Sequence, residues 1–449
     1  MRQNGSAVMS GVALALSAGL VGCGGTTGEP PKTGATPPAA SLEMPSDPVA
    51  RAKALQASVP LIDGHNDLPS KMRNEGYFYD FDKVDIRDSQ PQFHTDIPRL
   101  KMGQLGAQFW SVYVPASLPG PEAVRTTLEQ VNAVHLMARR YPETFEIAST
   151  ADDIERVFKS GKIASLMGME GGHSIDSSLP TLHMFYRLGV RYMTLTHSSN
   201  IPWADSATDT PKLGGLSKFG EAVVAEMNWL GMLVDLSHVS PDTMEDALRV
   251  TQAPVIFSHS SARALCDVPR DVPDAVLQKL PANGGVVMVT FVPGFISQET
   301  ADHGKLQQAE RERLQKRYPK DEEKVRAEMA AWSSAHPEPR ASLAQVADHI
   351  DHIKQVAGID HIGIGSDFDG IGSVPVGLED VSKYPALTAE LVRRGYNDDD
   401  IRKILGLNVL RALRGAEGVA KKLQAERQPS VKTIQELDEG KPPVVERER

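Results

Sequence analysis

Two kinds of hydrophobic pattern alternate along this chain. Short runs rich in β-branched and apolar residues fall at Val59 to Asp67, Leu105 to Val114, Lys162 to Glu170 and Val190 to His197. They continue at Met232 to His238, Pro254 to His259, Gly284 to Phe291 and His361 to Asp367. Between most of them lie amphipathic stretches such as Gly120 to Arg140, Ser217 to Leu230 and Ser342 to Ala357. Runs that are almost continuously apolar suit strands buried on both faces, as in parallel sheets. Eight such strands separated by helices predict an α/β fold, a (β/α)8 TIM-like barrel. Gln298 to Arg340 breaks the rhythm. Dominated by Lys, Glu, Arg, Gln and Ala, it reads as a helical insertion with a solvated face, surface decoration rather than a lid.

At 449 residues the chain could hold two or three ordinary domains, but one barrel can use most of it. No internal repeat points to a second domain of similar size. The ends differ in character. Arg2 precedes an apolar, small-residue run from Ala7 to Gly22 that is short for a transmembrane helix and ends in Leu20-Val21-Gly22-Cys23. This resembles a bacterial lipoprotein signal, with Cys23 as the lipidated residue; an ordinary secretory peptide is the plainer alternative. Gly, Thr and Pro dominate Gly24 to Pro48, a flexible tether. The expected organisation is signal peptide 1–22, lipidated cysteine and linker 23–52, barrel domain 53–425 and a polar, fraying tail 426–449. Such a protein would be lipid-anchored in a bacterial cell envelope, facing the periplasm or exterior.

A net charge of -10 without a basic stripe argues against nucleic acid as a partner. Two cysteines, Cys23 and Cys266, exclude a disulfide framework and thiolate-rich zinc sites. Any metal must therefore be held by His, Asp and Glu. Six of the eight strand runs finish on such residues: His65-Asn66-Asp67, Glu170, His197, His238, His259 and Asp367. A single one of these reads best as a hydrogen-bonded core residue. Six on the rim where barrel enzymes build their sites are hard to explain as packing, and clustered carboxylates there need a cation. His65 and Asp67, two apart in a strand, can face the same way. With Glu170, His238 and His259 they supply five nitrogen and oxygen ligands, which suits two zinc ions sharing a carboxylate; Mn or Co would also be tolerated. Water between two zincs is a hydroxide nucleophile near neutral pH. Gly171 and Gly172 allow a close turn, and His173 is expected to support that loop rather than bind metal.

The segments Asp63-Gly64-His65-Asn66-Asp67-Leu68-Pro69, Gln108 to Tyr113 and Glu170-Gly171-Gly172-His173-Ser174 resemble the membrane (renal) dipeptidase family. So do Leu195-Thr196-His197 with Asn200 and Trp203-Ala204-Asp205, Asp235 to Ser240, Ser258 to Ser261, and Gly365-Ser366-Asp367-Phe368-Asp369-Gly370. The resemblance runs from about residue 57 to about residue 415. It implies zinc-dependent hydrolysis of dipeptides by a metal-bridging hydroxide. His65, Asp67 and Glu170 would hold one zinc, and Glu170, His238 and His259 the other. His197 would contact the scissile carbonyl oxygen, Arg270 would bind the substrate's terminal carboxylate, and Asp367 would handle the proton near the departing amine. From position alone, Arg270 reads as a surface ion pair with Asp267 or Asp271, and Asp369 as a brace for its turn.

The chain departs from the mammalian relatives in having neither a cysteine for an intersubunit bridge nor an apolar C-terminal tail; a homodimer, if kept, is held without a disulfide. Other binuclear amidohydrolases often bridge their metals with a carboxylated lysine, whereas the bridging candidate here is Glu170. A non-catalytic peptide-binding lipoprotein is the remaining alternative, but none of the five ligands is missing.

Overall fold

The computed structural model describes residues 44–441; Cys23 and the signal-like run lie outside these described residues. Nine strands form one sheet: β1 (Leu61–Asn66), β2 (Leu105–Ser111), β3 (Phe145–Ile147), β4 (Ile163–Glu170), β5 (Val190–Thr194), β6 (Leu233–Asp235), β7 (Ile256–Ser260), β8 (Val286–Val289) and β9 (Ile362–Ile364). All but β3 close into a parallel eight-stranded barrel, with β2 paired to β4 and β9 paired back to β1. β3 pairs only with the start of β4, where Phe145 lies opposite Ile163; β5 takes over from Met167. Every residue of the eight barrel strands is buried, which is why each reads as an apolar run.

The helices start and stop where local chemistry directs. Thr150 and Asp153 form a reciprocal cap on Ala151–Lys159, as Ser342 and Gln345 do on Leu343–Val356. Gly231, at φ 84°, ends Lys218–Leu230 in the left-handed conformation and turns the chain through Met232 toward β6. The insertion is a pair of helices, Gln298–Arg317 and Glu322–Ala335, with a small apolar cluster of its own around Leu314, Val325 and Met329.

Three barrel ladders carry an extra residue. Between the pairs Asp63↔Gln108 and Asn66↔Trp110, β1 has one residue more than β2. The same occurs on β7 between Phe257 and Ser260, and on β5 between Val190 and Tyr192. A bulge of this kind breaks the alternation of faces and re-aims the side chains beside it. It therefore acts on His65, His259 and Tyr192.

The C-terminal segment departs from the fraying expected for it. Arg427 pairs with buried Glu226 at 2.9 Å, and Ser430 N donates to the same carboxylate at 3.0 Å. Asp438 accepts from Ser217 Oγ at 2.7 Å and Phe219 N at 2.8 Å, at the N-terminal end of Lys218–Leu230. An acidic side chain is favourable there because it meets unpaired N–H groups and the positive end of the helix dipole. The polar residues that suggested a free tail are the ones that tie it down.

Candidate metal centre and substrate cleft

The C-terminal mouth of the barrel opens into a cleft of about 350 Å³, lined among others by Asp67, Glu170, His197, His238, Arg270 and Asp367. A larger cavity of about 710 Å³ lies at the other end, against Pro60, Leu105 and Ile163 at the strand starts. None of the metal-binding candidates borders it, so volume alone does not locate the chemistry.

Glu170 ends β4 and His259 lies inside β7, while Asp67 follows β1 directly. His197, His238 and Asp367 differ from expectation: each strand stops three residues earlier, at Thr194, Asp235 and Ile364, and the side chain comes from the turn beyond. His238, Asp367 and Asp369 adopt left-handed backbone at φ 68°, 65° and 66°. Such conformations cost on the order of 1–3 kcal/mol each outside glycine and cluster at functional sites.

Glu170 stands at the centre. Its Oε2 is 3.5 Å from His65 Nε2 and accepts from Ser111 Oγ at 3.2 Å. Its Oε1 faces His238 Nε2 at 3.0 Å, His259 Nε2 at 3.4 Å and His197 Nε2 at 3.7 Å. Asp67 Oδ2 is 3.0 Å from His65 Nε2, and Asp367 offers an oxygen within 4.8 Å of that pair. One oxygen of this carboxylate thus faces His65 and the other faces three histidines.

The arrangement fits metal ions. His65 Nε2 is buried between the carboxylates of Asp67 and Glu170 without a well-aligned hydrogen bond to either, and His238 and His259 point their Nε2 atoms at each other across 3.0 Å. Burial, together with Arg270 near His238 and His65 near His259, holds both imidazoles well below the usual histidine range. They are neutral, the form that binds metal. Burial would raise Glu170, but His65, His197, His238 and His259 hold it well below the usual range. His65 goes the other way: burial is outweighed by Tyr192, Glu170 and Asp67. Burial pushes Asp367 well above the carboxylate range; Asp67 and Glu170 add to this, and His65 and Arg270 oppose it. An ionised Asp367 therefore calls for cationic charge beside it.

Arg270 is 5% exposed, so the surface ion pair suggested by its position is not formed. Asp267 pairs with Arg263, and Asp271 accepts from Ser261 N. The guanidinium has only long contacts, to Ser260 Oγ at 3.5 Å and His259 O at 3.3 Å, and lies over Phe295. His197 sits between the rings of Tyr113 and His238, with Ser198 Oγ 3.2 Å from its Nδ1. His173 Nε2 is 3.1 Å from Val114 O, a loop contact. Asp369 holds the 94–95 loop, accepting from His94 N at 2.7 Å.

Two further acids escaped the sequence reading. Buried Asp63 accepts from Ser366 N and Oγ at 2.7 and 2.6 Å and from Tyr384 Oη at 2.6 Å, locking β1 to the turn that carries Asp367. Asp235 binds Ser258 N and Oγ at 2.8 and 2.6 Å, and Thr194 Oγ1 at 2.5 Å. An acid inside an otherwise apolar strand is the signal that could have found both.

The membrane dipeptidase family (peptidase family M19) matches residues 49–427. A dipeptidase of Clonostachys rogersoniana is 40% identical over 400 residues, covering 86% of this chain and 92% of that protein. Dipeptidase 3 of Mus musculus is 41% identical over 384 residues, covering 84% of this chain and 69% of its own. Among solved structures, the probable dipeptidase PvdM of Pseudomonas aeruginosa superposes with a TM-score of 0.73 at 28% identity, over 84% of this chain and 100% of that one. A metallopeptidase of Rhodobacter sphaeroides, liganded with a phosphinate mimic of the dipeptide L-Ala-D-Ala, gives 0.64 at 25% identity, over 80% and 99%. With the family matched across nearly the whole barrel, the chain belongs to the membrane dipeptidases of peptidase family M19 and is a metallo-dipeptidase.

Proposed function

We propose that the protein hydrolyses free dipeptides at a two-zinc centre, with Arg270 reading the substrate's terminal carboxylate. The observation that carries this reading is a buried guanidinium that no salt bridge engages, in one cleft with the Glu170 cluster. A buried charge without a direct ion pair is favoured by an incoming anion, and a carboxylate matches the planar fork of Arg. The phosphinate dipeptide mimic bound by the Rhodobacter relative is in keeping with this substrate class.

His65, Asp67 and Glu170 would hold one zinc, and Glu170, His238 and His259 the other. Zinc bound there supplies Lewis acidity and lowers the pKa of water enough to make it a nucleophile at neutral pH. The protein groups do the rest. Arg270 fixes the carboxylate one residue beyond the scissile bond, which sets the register and disfavours longer peptides. His197, kept neutral by burial and with Nδ1 beside Ser198 Oγ, donates from Nε2 to the carbonyl oxygen as it gains charge. Asp367 takes a proton from the attacking water and returns it to the departing amine.

The sequence around Cys23 supports lipid anchoring in a bacterial envelope. Among the described residues no helix is long and apolar enough to cross a membrane. Cys266 is buried, so the described domain offers no thiol for an intersubunit disulfide. The test is a panel of dipeptides with L and D residues at each position, alongside their amides, N-acetyl derivatives and tripeptides, assayed with metal-free and zinc-restored protein. Free dipeptides should be cleaved far faster than the rest, and only with metal. Equal rates on dipeptides and dipeptide amides would contradict the proposal.

A further inference from the structure

We infer that the hydroxyls of Tyr192 and Ser258 are positioning groups that decide which ring nitrogen of His65 and His259 carries the proton, leaving each Nε2 free to face the metal centre. The inference rests on the two-zinc reading above and assigns each hydroxyl to one ion of the pair.

Tyr192 reaches across the barrel from β5. Its Oη is 2.9 Å from His65 Nδ1 and 3.0 Å from Gly64 O. A phenol has one hydrogen and a carbonyl only accepts. If that hydrogen pointed at His65, two oxygen lone pairs would face each other at 3.0 Å in a buried site. The hydrogen therefore lies on the Gly64 side, and His65 Nδ1–H donates to the phenol. The fold makes room for this contact. The extra residue on β5 falls between Val190 and Tyr192, and the ring occupies the space that a Cβ at Gly168 would fill.

Ser258 builds the same logic on β7. Its Oγ is 2.6 Å from Asp235 Oδ2 and 2.8 Å from His259 Nδ1. Asp235 is surrounded by donors: Ser258 N, Ser237 N and Thr194 Oγ1 all point at it. The serine hydrogen goes to the carboxylate, and His259 Nδ1–H donates to the serine. Both rings then present a lone pair at Nε2, on the Glu170 side. Neither hydroxyl touches the cleft, so each acts on the reaction only through its histidine. Partners of this kind fix ring orientation and tautomer, and their loss costs roughly 10- to 100-fold in metal affinity.

The experiment uses the full chain and two near-isosteric variants, Tyr192→Phe and Ser258→Ala. Zinc affinity is read by graded chelator competition with metal counting, next to the thermal midpoint of the metal-free protein. Each variant should hold one zinc as the wild type does and the other about 10- to 100-fold more weakly, with the metal-free midpoint lowered no further than the loss of one buried hydrogen bond, to Gly64 O or to Asp235, requires. Adding Asp67→Asn to Tyr192→Phe should leave the second zinc in place, whereas joining Tyr192→Phe to Ser258→Ala should weaken both. Wild-type affinity for both ions in both variants would overturn the inference. So would equal weakening of both ions with a lowered midpoint, the mark of a merely structural role. If the wild type itself binds a single zinc, the two-zinc reading fails, and the affinity of that one ion in the two variants still decides the relay.

Discussion

Replacing Arg270 with Met removes the guanidinium and keeps an apolar stem against Phe295. In the free protein Arg270 is 5% exposed, and its polar contacts are two long ones, at 3.3 and 3.5 Å. Little native bonding is lost, and a buried charge that no salt bridge engages disappears. The thermal midpoint should stay level or rise. Substrate binding should respond in the opposite sense. Truncating one partner of a buried charge pair costs about 2–5 kcal/mol, which at about 1.4 kcal/mol per factor of ten is roughly 30-fold to several thousand-fold in kcat/KM. Burial of the guanidinium favours the upper half of that range. The loss should be confined to substrates with a free carboxylate, since a dipeptide amide never made the contact. Steady-state rates on one dipeptide and its amide, for both proteins, measure this directly. Wild-type kcat/KM in the variant, or an equal proportional loss on the amide, would refute the assignment of Arg270.

Asp367→Asn should retain both zincs and bind a substrate-like inhibitor nearly normally, yet lose about two to four orders of magnitude in turnover; loss of a zinc would make Asp367 a ligand instead. In Gly370→Ala the new Cβ would collide with the carboxylates of Asp67 and Asp367. Turnover should fall on the order of 100-fold, the scale of small misplacements of reacting groups, and unchanged turnover would show that this turn has slack. Cys23→Ala should leave the protein outside the membrane fraction or as an uncleaved precursor, which fractionation and mass measurement distinguish; a processed variant that still sediments with membranes would count against lipidation.

The barrel was legible because its strands are buried on both faces and so read as eight apolar runs. β3 was not, since three residues with Glu146 and Ile147 half-buried carry no such pattern. The residue types at the mouth were legible from the strand ends, but how they point was not. Same-face spacing of His65 and Asp67 suggested their meeting, whereas the bulge beside His65 and the left-handed turns at His238 and Asp367 set the actual geometry. Left-handed Asp and His leave no mark in composition. Arg270 shows the limit most plainly. Two acids beside it in sequence suggested a surface pair, and only the fold reveals that Asp267 is engaged by Arg263 and that Arg270 turns inward. The docked segment from Arg427 to Lys441 escaped for the same reason, because its polar residues serve partners some 200 positions away, as Arg427 does with Glu226.

The central claim is that one carboxylate, Glu170, joins two metal sites. Counting zinc per chain in the wild type and in Glu170→Gln tests it most directly. The account predicts close to two equivalents in the wild type. In the variant both sites should weaken together, because the negative charge that the two oxygens share is lost to both and one of those oxygens becomes an amide nitrogen. A variant that loses one zinc and holds the other with wild-type affinity would contradict it.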